Sequence, residues 1–374
     1  MKYYIISGEA SGDLHASNLI RHLSQHDDEM DVRAWGGDLM KAQGAQIVKH
    51  YKEISFMGFW EVFKNLKTIL RNLNFCKKDI LDFHPDALIL VDYPGFNMRI
   101  AKFAKSYQIP VYYYISPQVW AWKKNRVFAI KKYVRELYTI LPFEKDFYAK
   151  YNCDVAYLGH PLLDAISTWK KEQDSDHLVW KKSGRPLVAL LPGSRSQELQ
   201  KMLPKMMDVK KHFPQCDFVI AGVRSLGRDV YQSYIQDSDI EVVFNQTYAL
   251  YNEADAALVS SGTATLETAL FNVPQVVCYQ TSWLSYKIAK LLVDVKYISL
   301  VNLIANQEVV KELIQKDFTV SNMVSELSSI LSEEGSAKMK QSYKKLTVLL
   351  EGVGASERVS SVIVSDLKSL AESM

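Results

Sequence analysis

The chain has 374 residues, more than one hydrophobic core usually serves, so two domains are expected. Apolar residues make up 48% and charged residues 23%, as in a water-soluble globular protein, and no run approaches the roughly 20 apolar residues of a membrane span. A net charge of +3 is too mild to imply nucleic acid. The four scattered cysteines form no CxxC pair and read as free buried thiols in a reducing compartment; the eight histidines lack metal-ligand spacing. Neither a metal nor a cofactor is expected. The opening MKYYIISGEASGD has too short an apolar run for a signal peptide, so a cytoplasmic chain is expected.

Residues 2–7 (KYYIIS) predict a strand, and 14–23 a helix with Leu14, Leu19, Ile20 and Leu23 on its apolar face. The loop between them, Gly8-Glu9-Ala10-Ser11-Gly12-Asp13, is neither GxGxxG nor GxxxxGK. Its glycines allow a ligand close to the backbone. Glu9 and Asp13 would repel a phosphate, so sugar hydroxyls suit the loop at least as well; an ordinary turn capped by Ser11 suits it equally. Residues 56–73 (FMGFWEVFKNLKTILRNL) are apolar almost all round, with Lys64, Lys67 and Arg71 interspersed. Residues 87–91 (ALILV) predict a strand buried on both faces, followed by Asp92-Tyr93-Pro94-Gly95-Phe96-Asn97. A carboxylate at a strand's carboxyl end faces the ligand crevice, and sugar transfer to a hydroxyl needs a base, which makes Asp92 the candidate. The plainer reading is a cap on the Pro94-Gly95 turn.

Residues 111–115 and 137–141 predict further strands. Between them, Trp120-Ala121-Trp122 precedes Lys123, Lys124, Arg126, Lys131, Lys132 and Arg135, with Val127, Ile130, Val134 and Leu137 at helical spacing. A basic amphipathic stretch beside aromatics suits an anionic membrane surface; a core helix with a solvated basic face is the commoner case. Residues 170–185 are polar and read as a linker. The strand–helix rhythm then restarts, with strands expected at 187–191, 217–221, 241–244, 256–259 and 275–279. Two motifs stand at strand ends: Pro192-Gly193-Ser194-Arg195, and Ser260-Ser261-Gly262-Thr263-Ala264-Thr265-Leu266-Glu267. A Gly-Thr turn at a helix start offers backbone N–H groups and the positive helix end to a diphosphate, and Arg195 adds a charge-assisted contact. Glu267, one turn beyond Thr263, suits the two hydroxyls of a ribose. Taken singly, Ser261 reads as an N-cap and Arg195 as a surface residue. Residues 355–370 predict a C-terminal helix with Val359, Val362, Ile363, Leu367 and Leu370 on one face.

These motifs together resemble the lipid-A-disaccharide synthase family. The resemblance runs through SGEASGDLH, MGFWEV, PDALILVDYPGFN, YYISPQVWAWKKNRV, LPFEKDFY, LGHPLLD, LLPGSRSQE, SSGTATLE and SLVNLIANQEVVKELI. It implies an α/β fold of the GT-B kind, two Rossmann-like domains facing a cleft, with a C-terminal helix crossing back. Residues 1–169 would form an acceptor and membrane-facing domain, 186–350 a UDP-sugar-binding domain, and 351–374 the returning helix. It implies transfer from UDP-2,3-diacylglucosamine to 2,3-diacylglucosamine 1-phosphate, with inversion to a β-1,6 linkage, release of UDP and no metal. Asp92, Glu9 and Ser11 form the expected catalytic group. Gly193, Ser194, Arg195, Ser261, Gly262, Thr263, Glu267 and Asn302 are expected to hold the donor. Some members carry a second acid where this chain has Gly95, so a proton shared between two acids is not expected here. Acylated substrates turn Phe56, Met57, Phe59, Trp60, Trp120 and Trp122 into expected lipid contacts, on a protein lying on the anionic inner-membrane surface. The oligomeric state is left open, a homodimer being one option. Two alternatives are a UDP-sugar 2-epimerase, which shares the architecture, and a non-catalytic sugar-nucleotide- or lipid-binding scaffold.

Overall fold

The computed structural model describes residues 1–54, 66–172, 184–236, 238–282, 286–287 and 295–373. Phe56, Met57, Phe59 and Trp60, and most of the expected linker, lie outside the described residues. The chain divides into two compact units: Met1–Trp169 with Leu350–Met374, and Lys170–Leu349.

The first unit is a parallel sheet of β1 (Lys2–Ser7), β2 (Asp31–Gly36), β3 (Gln46–His50), β4 (Ala87–Val91), β5 (Val111–Tyr114), β6 (Glu136–Thr139) and β7 (Ala156–Tyr157), in the order β3-β2-β1-β4-β5-β6-β7. The second is a parallel sheet of β8 (Leu187–Leu191), β9 (Asp217–Gly222), β10 (Glu241–Phe244), β11 (Ala256–Ser260), β12 (Gln275–Tyr279) and β13 (Lys311–Ile314), in the order β10-β9-β8-β11-β12-β13. The central strands are short runs of Val, Leu, Ile and Ala because helices cover both faces; ALILV and LVALL are buried along their whole length. In both sheets the chain winds outward on one side of the first strand and then on the other. The order reverses between β1 and β4, and between β8 and β11. Ligands of open α/β sheets bind at such switch points, beyond the carboxyl ends of the strands.

The helix Ala355–Glu372 closes the first unit. Val359, Ile363, Val364 and Leu367 pack into one cluster with Tyr3, Leu19 and Leu23. Its N-terminus is capped from a distance. The buried Asp164 carboxylate accepts the N–H groups of Gly354 (2.6 Å), Ala355 (3.3 Å) and Ser356 (2.7 Å). Farther along, Asp366 takes Arg135 in a two-point ion pair at 2.5 and 2.7 Å and the Tyr112 hydroxyl at 2.5 Å. Arg135 therefore does not belong to a free basic face. Val362 departs from the expected face: it is 41% exposed. The helix expected through Val127, Ile130, Val134 and Leu137 ends sooner. It spans Arg126–Tyr133, Val134 is extended, and Leu137 lies in β6. A strand buried next in sequence continued the apolar spacing and mimicked one more helical turn.

Candidate active site

At the first switch point β1 ends at Ser7 beside Val91 of β4, which brings the loop at Glu9 and the residue Asp92 together. Asp92 (φ 45°) and Tyr93 (φ 47°) are both left-handed, a conformation that is rare for a bulky residue and costs about 1–3 kcal/mol. The surroundings hold it. The Asp92 carbonyl accepts the Asn97 amide at 2.8 Å and the Tyr113 hydroxyl at 2.5 Å. The same Asn97 Nδ2 reaches the carbonyls of Ile6 (3.4 Å) and Val91 (3.3 Å), tying the ends of β1 and β4 to one side chain. The helix Pro94–Ser106 starts with Tyr93, not Asp92, as its N-cap residue and without a side-chain cap. Burial and, after it, the charge of Glu9 raise the Asp92 carboxyl to about 6, against a smaller opposing effect of the Tyr93 N–H. A carboxylate with that pKa is poised to take a proton near neutrality.

The rest of the GEASGD loop is mostly scaffold. The helix Ala10–His26 has Glu9 as its N-cap residue, so Ser11 is an exposed first-turn residue and not the cap. A Cβ at Gly8 would lie 2.4 Å from the Tyr93 ring, and one at Gly12 would lie 2.9 Å from the Ser7 Cβ. Both glycines make room for the protein's own packing, not for a ligand. Asp13 is buried and accepts the N–H groups of Gly37 (2.7 Å), Leu39 (3.1 Å) and Met40 (3.2 Å), capping the helix Asp38–Ala42.

At the second switch point β8 runs into Pro192-Gly193-Ser194-Arg195, and the helix Ser196–Val209 follows with Arg195 as N-cap residue. Arg195 is exposed at the positive end of that helix. Its Nη1 donates to Glu198 Oε1 at 3.1 Å, while Glu198 Oε2 accepts the Ser194 N–H at 3.1 Å. On the neighbouring strand, β11 leads through Ser261 to the helix Thr263–Leu270. Gly262, not Ser261, is its N-cap, at φ 104° with open space where a Cβ would stand, and no side chain caps the helix. The N-terminal end of this helix thus has no side-chain cap among the described residues. Glu267 sits half-buried on this helix and accepts the Tyr248 hydroxyl at 3.1 Å; burial raises its carboxyl.

Two of the residues expected at contacts are buried. Asn302 is fully buried and all four of its amide bonding positions are in use. Nδ2 donates to the Val310 carbonyl (2.8 Å) and Glu312 Oε1 (3.0 Å), and Oδ1 accepts from Val309 (2.7 Å) and Val310 (2.9 Å). Its side-chain amide has no bonding position left over. Glu312 also accepts the Ser299 hydroxyl and N–H, and Ser299 pairs with Gly262, so Asn302 supports the Ser-Gly-Thr turn at one remove. Trp120 is 9% exposed and packs edge-on to Phe143 at 4.9 Å, so it does not form an exposed aromatic surface. Trp122, 42% exposed, stays at the surface with Lys123 and Arg126 over its ring at 4.4 and 5.6 Å. Asn97, Tyr113, Glu198, Tyr248 and Glu312 were not singled out from the sequence. Glu198 was the most accessible of them, as the acid closing PGSRSQE three residues into a helix.

A family model described as lipid-A-disaccharide synthetase matches residues 3–364. The lipid-A-disaccharide synthase of Syntrophus aciditrophicus is 35% identical over 372 residues, covering 97% of each chain. That of Geobacter metallireducens is 35% identical over 370 residues, covering 97% of this chain and 96% of the relative. Among solved structures, the UDP-GlcNAc 2-epimerase of Neisseria meningitidis superposes with a TM-score of 0.68 at 15% identity, covering 99% of this chain and all 100% of its own. The glycotransferase of kitacinnamycin gives 0.65 at 13% identity, covering 97% and 98%. At such identities these structures report the GT-B fold alone, which epimerases and glycosyltransferases share, whereas the sequence relatives separate the two. The chain belongs to the lipid-A-disaccharide synthase family and is a hexosyltransferase of lipid A biosynthesis.

Proposed function

We propose that the protein transfers 2,3-diacylglucosamine from UDP-2,3-diacylglucosamine to the 6-hydroxyl of 2,3-diacylglucosamine 1-phosphate, with inversion, releasing UDP. The observation that carries this reading is the convergence of the motifs on the switch points: Asp92 and Glu9 in one sheet, PGSR and SGTATLE in the other. Asp92 takes the hydroxyl proton as the oxygen attacks the anomeric carbon. The diphosphate leaves on Arg195, Gly193, Ser194 and the first turn at Gly262 and Thr263, where donors meet charge that grows in the transition state. Glu267 accepts the ribose hydroxyls, held by Tyr248. Glu9 keeps Asp92 basic through its charge, and Ser11 is left with at most a surface contact to the acceptor. Nothing in this chemistry calls for a metal. The protein works at the cytoplasmic face of the inner membrane, as a peripheral enzyme meeting its acylated substrates there; Trp122 and the lysines around it support that placement, and among the described residues no helix is long and apolar enough to cross a membrane.

The test is UDP release from the acylated donor, with and without the acylated acceptor, by wild type and Arg195→Ala. We expect acceptor-dependent release, and a loss in kcat/KM for Arg195→Ala of about 2–4 kcal/mol, or roughly 30- to 1000-fold. Release from UDP-GlcNAc alone, without acyl chains, would point to another substrate class. Kinetics of Arg195→Ala within threefold of wild type would remove Arg195 from the leaving-group site.

A further inference from the structure

The PGSR loop already holds an anion, and that anion belongs to the protein. Glu198 lies at the third position of the helix Ser196–Val209 and turns back over the loop. One carboxylate oxygen takes the Ser194 N–H and the other takes the Arg195 guanidinium, both at 3.1 Å. Gly193 sits beneath at φ 111°, and a Cβ there would stand 2.5 Å from Glu198 Oε2. The carboxylate therefore occupies the space that the glycine leaves open above the backbone. A backbone N–H, a guanidinium, a bare glycine and a helix N-terminus are the parts of a phosphate seat. Tyr279, at the end of β12, feels both charges: burial raises its hydroxyl most, Glu198 raises it further and Arg195 opposes.

We propose that Glu198 is an internal counter-anion, occupying the phosphate seat of the ligand-free enzyme and displaced from it when the donor's diphosphate binds. This rests on the reading of PGSR as that seat. Displacement frees Arg195 and the Ser194 N–H together, so both are presented only to an incoming anion. After transfer the carboxylate competes with bound UDP for the same two donors and speeds its departure. The seat remains ordered through the whole cycle, since one anion replaces another.

The experiment is calorimetric titration of UDP and of uridine into wild type, Glu198→Gln and Arg195→Ala. Glutamine keeps the size and an acceptor for Ser194 but carries no charge. We expect Glu198→Gln to bind UDP about five- to tenfold more tightly, the effect of removing one nearby like charge from a diphosphate at a partly exposed site. Uridine, which has no phosphate, should bind both proteins alike. Product inhibition by UDP should strengthen in parallel. UDP binding that is unchanged or weaker in Glu198→Gln overturns the proposal, and so does an equal gain for uridine. Arg195→Ala separates the two layers. If it weakens UDP while Glu198→Gln fails to tighten it, the seat stands and the counter-anion falls. If it leaves UDP affinity untouched, the seat itself is wrong. Glu198→Asp keeps the charge but shortens the reach, and should restore wild-type UDP affinity only in part; full tightening in that variant also counts against the proposal.

Discussion

Asp92 combines an unfavourable backbone with a raised carboxyl, and both have named causes. Two successive left-handed residues turn the chain sharply at the end of β4, and Asn97 and Tyr113 clamp the Asp92 carbonyl so that the turn cannot relax. The carboxyl is raised first by burial and then by Glu9. As the proposed base, Asp92 works only when deprotonated, so activity should be lost as pH falls through its pKa. We expect an acid limb in kcat/KM near pH 6. Removing the Glu9 charge with Glu9→Gln relieves repulsion of the ionised form, so the limb should move to lower pH. Asp92→Asn should lose about 10²–10⁴-fold in kcat and erase the limb while UDP still binds. A pH profile unchanged by Glu9→Gln would show that the charge of Glu9 does not reach Asp92. The place of Asp92 was legible, since it follows an all-apolar strand and so stands at that strand's carboxyl end; the clamp by Asn97 and Tyr113 was not. Asn302 was not: its sequence neighbours say nothing of Glu312 and Val310, whose bonds use up its amide. Trp120 was not either, because only packing distinguishes it from Trp122 two residues on.

At the scale of elements, continuous apolar runs gave themselves away. The strands at KYYIIS, ALILV, LVALL, EVVF and QVVCY have the bounds their runs suggest. β2 (DVRAWG) and β3 (QIVKH) escaped because both mix polar with apolar residues, β3 at the sheet edge being only half-covered. The LGHPLLD motif illustrates a role that spacing cannot reveal. His160 Nδ1 accepts the Leu162 N–H, and Asp164 caps a helix that begins 191 residues later in the chain. An acid at a helix N-terminus offsets the unpaired N–H groups and the dipole. Asp164→Ala leaves three N–H groups without their acceptor, all near or within the core. We expect a loss of about 2–4 kcal/mol, more than an ordinary cap, because the site is buried. Chemical denaturation monitored by hydrogen exchange of the helix Ala355–Glu372 measures it. A loss below about 0.5 kcal/mol would mean that the helix is held by its apolar face alone.

For the molecule as a whole, the proposed membrane placement rests on the surface around Trp122. Lys123, Lys131 and Lys132 are exposed beside Trp122 and Phe128, the latter 60% exposed. Basic residues near an anionic surface contribute about 1 kcal/mol each and are screened over about 8 Å at physiological ionic strength. Reversing all three charges should reduce sedimentation with anionic vesicles by well over tenfold, and added salt should reduce wild-type binding in the same direction. Binding to anionic vesicles that survives the reversal would place the membrane contact elsewhere on the protein.

The chain's return sets how the molecule is held together. It leaves the first unit at residue 170 and re-enters it at 350, so the last helix stabilises a domain made more than 180 residues earlier. Val359, Ile363, Val364 and Leu367 are all within 6% of full burial, packed on the face where Leu19 and Leu23 stand. Burying four such side chains is worth roughly 6–12 kcal/mol, which matches the whole stability of a typical domain, about 5–15 kcal/mol. Truncation after Leu349 removes that burial together with the Asp164 cap and the Arg135–Asp366 pair. It also uncovers an apolar face on the helix Ala10–His26, whose first residues follow the Glu9 loop. We therefore expect the truncated protein to lose hydrogen-exchange protection throughout β1, β2 and β4 while β8, β11 and β12 keep theirs. Activity should vanish, and UDP binding should persist, because the PGSR and SGTATLE turns lie in the unit that stays folded. Protection lost equally in both sheets would show that the two units unfold as one. Protection kept in β1 and β4 would show that the returning helix only covers a core that is already stable without it.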